Sequence, residues 1–164
     1  MTVMEWDAVM RVLAALEAER VDYAVIGGVA LNLHGIARAT EDVDVFVAPT
    51  EENVARLRRA LHSVYDDSSI DEISAQDLCG EYPAVRYVPP SGPPMDILTR
   101  LGDAFHFEDV ERERYDVEGQ EVCVATPETL YRMKRGTVRP LDHADAARLA
   151  EAFALKDDDS AGGT

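Results

Sequence analysis

Apolar residues early in the chain recur at helical spacing. Trp6, Val9, Met10, Leu13 and Leu16 share one face, with Glu17, Glu19 and Arg20 near the other, which predicts an amphipathic helix over residues 3–19 packed on a sheet. The period then changes. Tyr23-Ala24-Val25-Ile26 reads as a short strand running straight into Gly27-Gly28, and Val29 to Gly35 as a short helix with Gly35 placed as its C-terminal cap. Val43 to Val47 is β-branched or aromatic at most positions and stops at Pro49-Thr50, a breaker followed by a helix cap. Thr50-Glu51-Glu52-Asn53 opens a helix that Val54, Leu57, Leu61 and Val64 continue on one face, with Arg56, Arg58 and Arg59 on a solvated remainder.

The second half is less regular. Residues 65–80, rich in Asp and Ser, read as a loop with one short helical turn, and Asp66, Asp67, Asp71, Glu72 and Asp77 as solvated acids without calcium-ligand spacing. Ala84 to Val88 and Met95 to Thr99 are expected to form a hairpin around a proline-rich turn at residues 89–94. Phe105 to Glu113 reads as helical or irregular, and Arg114 to Val117 with Val122 to Ala125 as a further hairpin around Glu118-Gly119-Gln120. Thr126-Pro127-Glu128 enters a helix by a capping Thr, a first-position Pro and a first-turn acid, and the helix runs to about Arg135. Residues 156–164 have no apolar content to pack and are expected to be a disordered acidic tail, leaving residues 1–155 as one domain.

Charge narrows the partners. The formal net charge is −16, and an acidic surface repels polyanions, so a nucleic-acid substrate is disfavoured although a local basic cluster can still act. Arg occupies fourteen positions and Lys only two, Lys134 and Lys156. Arg132, Lys134, Arg135 and Arg139 make the densest basic cluster. No run is long enough to span a bilayer, and Glu5 and Asp7 stand where a signal peptide would be basic, so a cytoplasmic location without membrane contact is expected. Cys79 and Cys123 have no metal-ligand spacing and are expected to be free thiols.

Three carboxylates are the candidate chemistry. Side chains two apart on a strand share a face, so Asp42 and Asp44 project together while Val43, Val45 and Val47 go to the core. Such a pair repels itself unless a hard cation such as Mg2+ takes up its oxygens. An exposed strand end is the simpler reading of Asp-x-Asp alone. Asp96 interrupts Met95, Ile97 and Leu98, and an ionised carboxylate in an apolar strand is costly unless paired or metal-bound; a strand-end acid reaching water is the alternative. Gly27 and Gly28 permit positive φ and close backbone approach, and free N–H groups at a helix start favour phosphate, against the alternative of a plain turn that needs two glycines. Arg38 is placed either to hold a phosphate or to fix an Asp, and His34 either to reach a substrate or to stabilise its helix end.

Gly27-Gly28, followed after residues 29–41 by Asp42-Val43-Asp44, with Arg38 and Thr40 in the intervening run, resembles the nucleotidyltransferase superfamily, in particular its AbiEii/AbiGii toxin-like and minimal nucleotidyltransferase branches. The resemblance covers most of residues 20–150. It implies an α+β fold, a mixed β-sheet flanked by helices with closing C-terminal helices. It implies transfer of a nucleoside monophosphate from an NTP to a hydroxyl acceptor on RNA, protein or a small molecule, with Mg2+ as cofactor and a third carboxylate on a later strand. It also implies a downstream helix with a lysine, here Lys134, as a phosphate contact; a surface lysine is the plain alternative, with Asp142 and Asp145 pairing with Arg139 and Arg148. Gly28 stands where many members of the superfamily have Ser, so a hydroxyl contact to phosphate is missing. On this reading Asp42, Asp44 and Asp96 hold metal and perform catalysis, Gly27, Gly28, Arg38 and Lys134 meet the nucleotide, and a cognate toxin or antitoxin is the expected protein partner. The competing expectation is a catalytically silent fold kept as an antitoxin or protein-binding module.

Overall fold

The computed structural model describes residues 5–80, 83–101, 105–135 and 140–155. In chain order the elements are α1 (Trp6–Ala18), β1 (Tyr23–Ile26), α2 (Gly27–Leu33), β2 (Val43–Val47), α3 (Glu51–Val64), a 3-10 turn (Ser68–Glu72), α4 (Ala75–Cys79), β3 (Ala84–Tyr87), β4 (Met95–Leu98), β5 (Arg100–Leu101), β6 (Phe105–His106), a second 3-10 turn (Phe107–Asp109), β7 (Arg112–Val117), β8 (Gln120–Ala125), α5 (Pro127–Arg135) and α6 (Pro140–Phe153). Among the described residues the main sheet has six strands in the order β3-β4-β2-β1-β8-β7. It is mixed: β2 runs parallel to β4 and antiparallel to β1, β1 is parallel to β8, and both outer pairs are antiparallel. This is the α+β, mixed-sheet architecture expected from the sequence.

Burial explains the order. β1 is buried at all four positions, and β2 hides Val43, Val45, Phe46 and Val47, so these near-continuous apolar strands take the centre. The edges fall to β3 and β7, whose residues are mostly exposed or half-exposed. Charged side chains along β7 blunt an open edge. α1 packs on α3 and β8, α2 on β2 and β1, and α5 on α6. Val9, Leu13, Leu16, Val25, Val45, Leu57, Leu61, Ile97 and Val124 are fully buried in one core. The Thr50 hydroxyl accepts the Asn53 N–H at 3.1 Å, as its capping position requires, and the buried Asn53 amide fastens the Asp22 and Ala48 backbones.

Two segments depart from expectation. Residues 65–80 hold the Ser68–Glu72 turn and α4. Asp67 and Ser74 cap these short helices, so residues whose composition suggests a loop instead start structure. Asp67 also accepts from the Tyr87 hydroxyl at 2.8 Å. Phe105 to Glu113 contains β6, the second 3-10 turn and the start of β7, whose charged residues conceal strand periodicity. Helix α6 has no apolar stripe because its inward face carries Asp142 and Asp145 beside Ala146 and Leu149. The tail at residues 156–164 and Arg139 lie outside the described residues. Among the described residues, no helix is long and apolar enough to cross a membrane. Cys123 is a buried free thiol.

Candidate functional site

Sheet register builds the site. Ile26 lies opposite Asp44, Asp44 opposite Asp96, and Asp96 opposite Arg86, so one transverse row crosses β1, β2, β4 and β3. Residues at matching register point to the same face. Asp44 and Asp96 are therefore neighbours across a parallel pair, beside the glycine turn that follows Ile26. Asp42 lies just before β2 and projects to the same face. The three carboxylates inferred from sequence are thus brought together.

A cation that was not anticipated closes the group. Arg86 Nη1 donates to both carboxylate oxygens of Asp96 at 3.1 Å, and Arg86 Nη2 and Nη1 donate to Asp42 at 3.1 and 3.3 Å. The Arg86 side chain is 51% exposed. Asp44 lies opposite Asp96 in the register of β2 with β4. Burial, followed by the hydrogen bond and negative charge of Asp96 and the charge of Asp42, pushes the Asp44 carboxyl up to about 7, and the Lys134 charge opposes this. Three acids facing one guanidinium leave the group electron-rich. Its oxygen donor set suits a hard divalent ion. As the side chains stand, no metal-holding set of three acidic, His or Cys groups exists among the described residues, and the Arg86 guanidinium pairs with both Asp42 and Asp96.

The glycine turn is tight against these acids. Gly27 has φ +68°, and a Cβ there would lie 2.1 Å from Asp44 Oδ2. Only glycine allows both the conformation and the approach. A Cβ on Gly28 would lie 2.8 Å from the Thr40 hydroxyl and 3.0 Å from Arg38 Nη1. Thr40 therefore fills the space that a residue 28 side chain would need, and its hydroxyl donates to the Asp42 carbonyl at 3.1 Å.

Arg38 and Lys134 are not surface cations. Arg38 Nε meets Asp145 at 2.9 Å, and Lys134 Nζ meets Asp145 at 3.1 Å and Asp142 at 3.4 Å. The Lys134 and Asp145 side chains are 12% and 2% exposed. Arg38 pairs with an Asp, and that Asp lies on α6. Asp145 pairs with Arg38 and Lys134, while Arg148 donates to the Ala37 carbonyl. The plain surface-lysine reading of Lys134 is thereby corrected: its polar helix face is buried against the acids of α6. His34 donates from Nε2 to the Ala125 carbonyl at 2.8 Å and has Nδ1 3.0 Å from the Tyr115 hydroxyl. Both ring nitrogens thus tie the end of α2 to the sheet.

Arg86 had a legible signal. Folding the hairpin symmetrically about Ser91 sets residue 86 opposite residue 96. The buried acids of α6 had none in a stretch whose hydrophobic period is broken by those acids.

A family profile described as nucleotidyl transferase AbiEii toxin, Type IV TA system, matches residues 11–135. Among curated proteins none matches the sequence at a significant level. The fold is similar to that of the lincosamide antibiotic adenylyltransferase LnuA in its lincomycin-bound crystal structure, with TM-score 0.59 and 14% identity over 90% of this chain and 98% of that one. It is also similar to a putative nucleotidyltransferase from Thermotoga maritima, with TM-score 0.54 and 14% identity over 90% and 91% of the two chains. The antibiotic-resistance factor ANT(2'')-Ia aligns with TM-score 0.54 and 13% identity over 91% of this chain and 83% of its own.

Proposed function

This chain belongs to the AbiEii nucleotidyl transferase toxin family, and on that premise we propose that it moves a nucleoside monophosphate from an NTP to a hydroxyl acceptor with the help of Mg2+. The observation that carries this reading is the register pairing of Asp44 with Asp96 next to the Gly27-Gly28 turn, with Asp42 joined to the same group. Asp42, Asp44 and Asp96 would hold the ion. When bound, Mg2+ supplies Lewis-acid polarisation of the phosphate and a counter-charge for the leaving group.

The chain's own groups do the rest. Asp96 takes the proton from the acceptor hydroxyl as its oxygen attacks the α-phosphorus. An O–P bond forms there, the bond from the α-phosphorus to the bridging oxygen breaks, and pyrophosphate carries away that electron pair. Gly27 and Gly28 open α2, where N–H groups without an intrahelical partner would meet the phosphates. Lys134 and Arg38 lend positive potential behind the turn while they stay bound to Asp145. This is a narrower role than direct phosphate contact. The family description supports a cognate antitoxin as partner. A small-molecule acceptor draws support from the fold shared with LnuA and ANT(2'')-Ia, and the proposed setting is the cytoplasm, where NTPs are supplied.

One observation favours a second reading, a catalytically silent fold that binds a partner protein: Arg86 already neutralises Asp42 and Asp96. Calorimetric titration with NTP and Mg2+ separates the two readings, since absence of binding favours the silent module. For the enzyme, incubation with NTPs labelled at the α-phosphate in cell extract is expected to place label in RNA, protein or a small solute. No label in any fraction would overturn the transferase reading.

A further inference from the structure

The guanidinium of Arg86 lies on the oxygens that the proposed ion requires. It makes two hydrogen bonds to Asp96 and two to Asp42, so it clamps acids from two different segments. Its strand, β3, is at the sheet edge, and its side chain is half-exposed at 51%. Exposed ion pairs contribute little net stability because water replaces them readily. A guanidinium is also an all-donor group with a fixed fork that fits carboxylates. A hard divalent ion seeks the same oxygens with a different geometry. The two cations therefore compete for one place. The contrast with Lys134 is informative: that ammonium is buried against Asp142 and Asp145, where exchange would expose a buried acid.

We propose that Arg86 is a positioning residue whose guanidinium occupies the gap between Asp42 and Asp96 and must leave it before a divalent cation can bind. The proposal rests on the reading that Asp42, Asp44 and Asp96 form a metal site. In the metal-free chain Arg86 bridges two of the acids and offsets their repulsion. On metal entry it swings away on its flexible stem and remains tethered to β3.

The test is titration of Mn2+ alone into the nucleotide-free full chain, followed by the loss of the free-ion paramagnetic signal, for the wild type, Arg86→Gln and Arg86→Lys. Removing a competing exposed pair should tighten Mn2+ binding roughly fivefold to tenfold in Arg86→Gln. Arg86→Lys keeps the charge without the fork and should fall between. A residue that only supports the fold would weaken metal binding when replaced. The metal-free Arg86→Gln protein should also melt below the wild type and gain more in melting temperature from added Mg2+.

Unchanged or weaker Mn2+ binding in Arg86→Gln, in a wild type that binds Mn2+ and transfers nucleotide, overturns the Arg86 proposal and leaves the metal site standing. Absence of Mn2+ binding in all three proteins overturns both. If Arg86→Gln fails to fold, Arg86→Lys decides, and affinity no better than wild type then counts against the proposal.

Discussion

Asp44 and Asp96 lie directly opposite each other across the parallel pair β2 and β4, two carboxyl groups on neighbouring strands. Two ionised carboxylates at that spacing repel, so a proton on one of them is favoured. Burial, with Asp96 and Asp42 nearby, pushes the Asp44 carboxyl up to about 7, whereas in the unfolded chain it titrates near the ordinary value of about 4. Between those values the folded state binds the extra proton, so the contribution of this group to stability is full below about pH 4 and is lost as the pH passes about 7. Metal-free protein should therefore lose melting temperature from pH 5 to pH 8, and Asp44→Asn should flatten that part of the curve. The same slope in Asp44→Asn would show that another group titrates there.

Gly27→Ala tests the turn. The new Cβ would sit 2.1 Å from the Asp44 carboxylate at a φ of +68°. Strain of this kind costs about 1–3 kcal/mol, which corresponds to roughly 2–12 °C in melting temperature for a chain of this size. Thermal melting measures it, and a variant with wild-type stability would contradict the close approach.

Gly28 and Thr40 should be coupled. Gly28→Ser drives its Cβ to 2.8 Å from both the Cβ and the hydroxyl of Thr40, so it should destabilise the chain, whereas in Thr40→Gly that space is open. A double-mutant cycle should then give a coupling of about 1 kcal/mol in the direction of relief. Strictly additive changes in denaturant unfolding would mean that Thr40 does not fill the place of the missing side chain.

The buried cluster on α6 has a larger expected effect. Asp145 holds both Arg38 and Lys134 and is 2% exposed. Asp145→Ala removes the carboxylate that the two cations share and should cost about 3–5 kcal/mol. Glu52→Ala, which removes the exposed Arg56 pair, should change stability by less than about 1 kcal/mol. Equal losses in urea unfolding would contradict the contrast between the two sites.

The legible parts of this protein are those where one residue type has one physical use. Strands β1 and β2 stand out because apolar β-branched residues have nowhere to go but the centre, and the cap at Thr50 because its hydroxyl meets the Asn53 N–H. Strand periodicity puts Asp42 and Asp44 on one face, whereas Asp96 joins them through the parallel pairing of β2 with β4. The family resemblance implied such a carboxylate on a later strand, and residue spacing did not. Arg86 was missed because a charged residue on an exposed strand ordinarily points to water, and only the register reveals its partners. The resemblance implied closing helices, but the buried faces of α6 and Lys134 were hidden for the opposite reason: charges satisfy one another inside, so neither a hydrophobic period nor composition marks the face.

The central claim is that Asp44 and Asp96 form the working centre of a nucleotidyl transfer site, and it is tested most directly by label transfer from α-phosphate-labelled NTPs in Mg2+-containing cell extract, comparing the wild type with Asp44→Asn and Asp96→Asn. Both variants should stay folded by thermal melting and lose transfer by at least about a hundredfold. Folded variants that both transfer label at the wild-type rate would contradict the account.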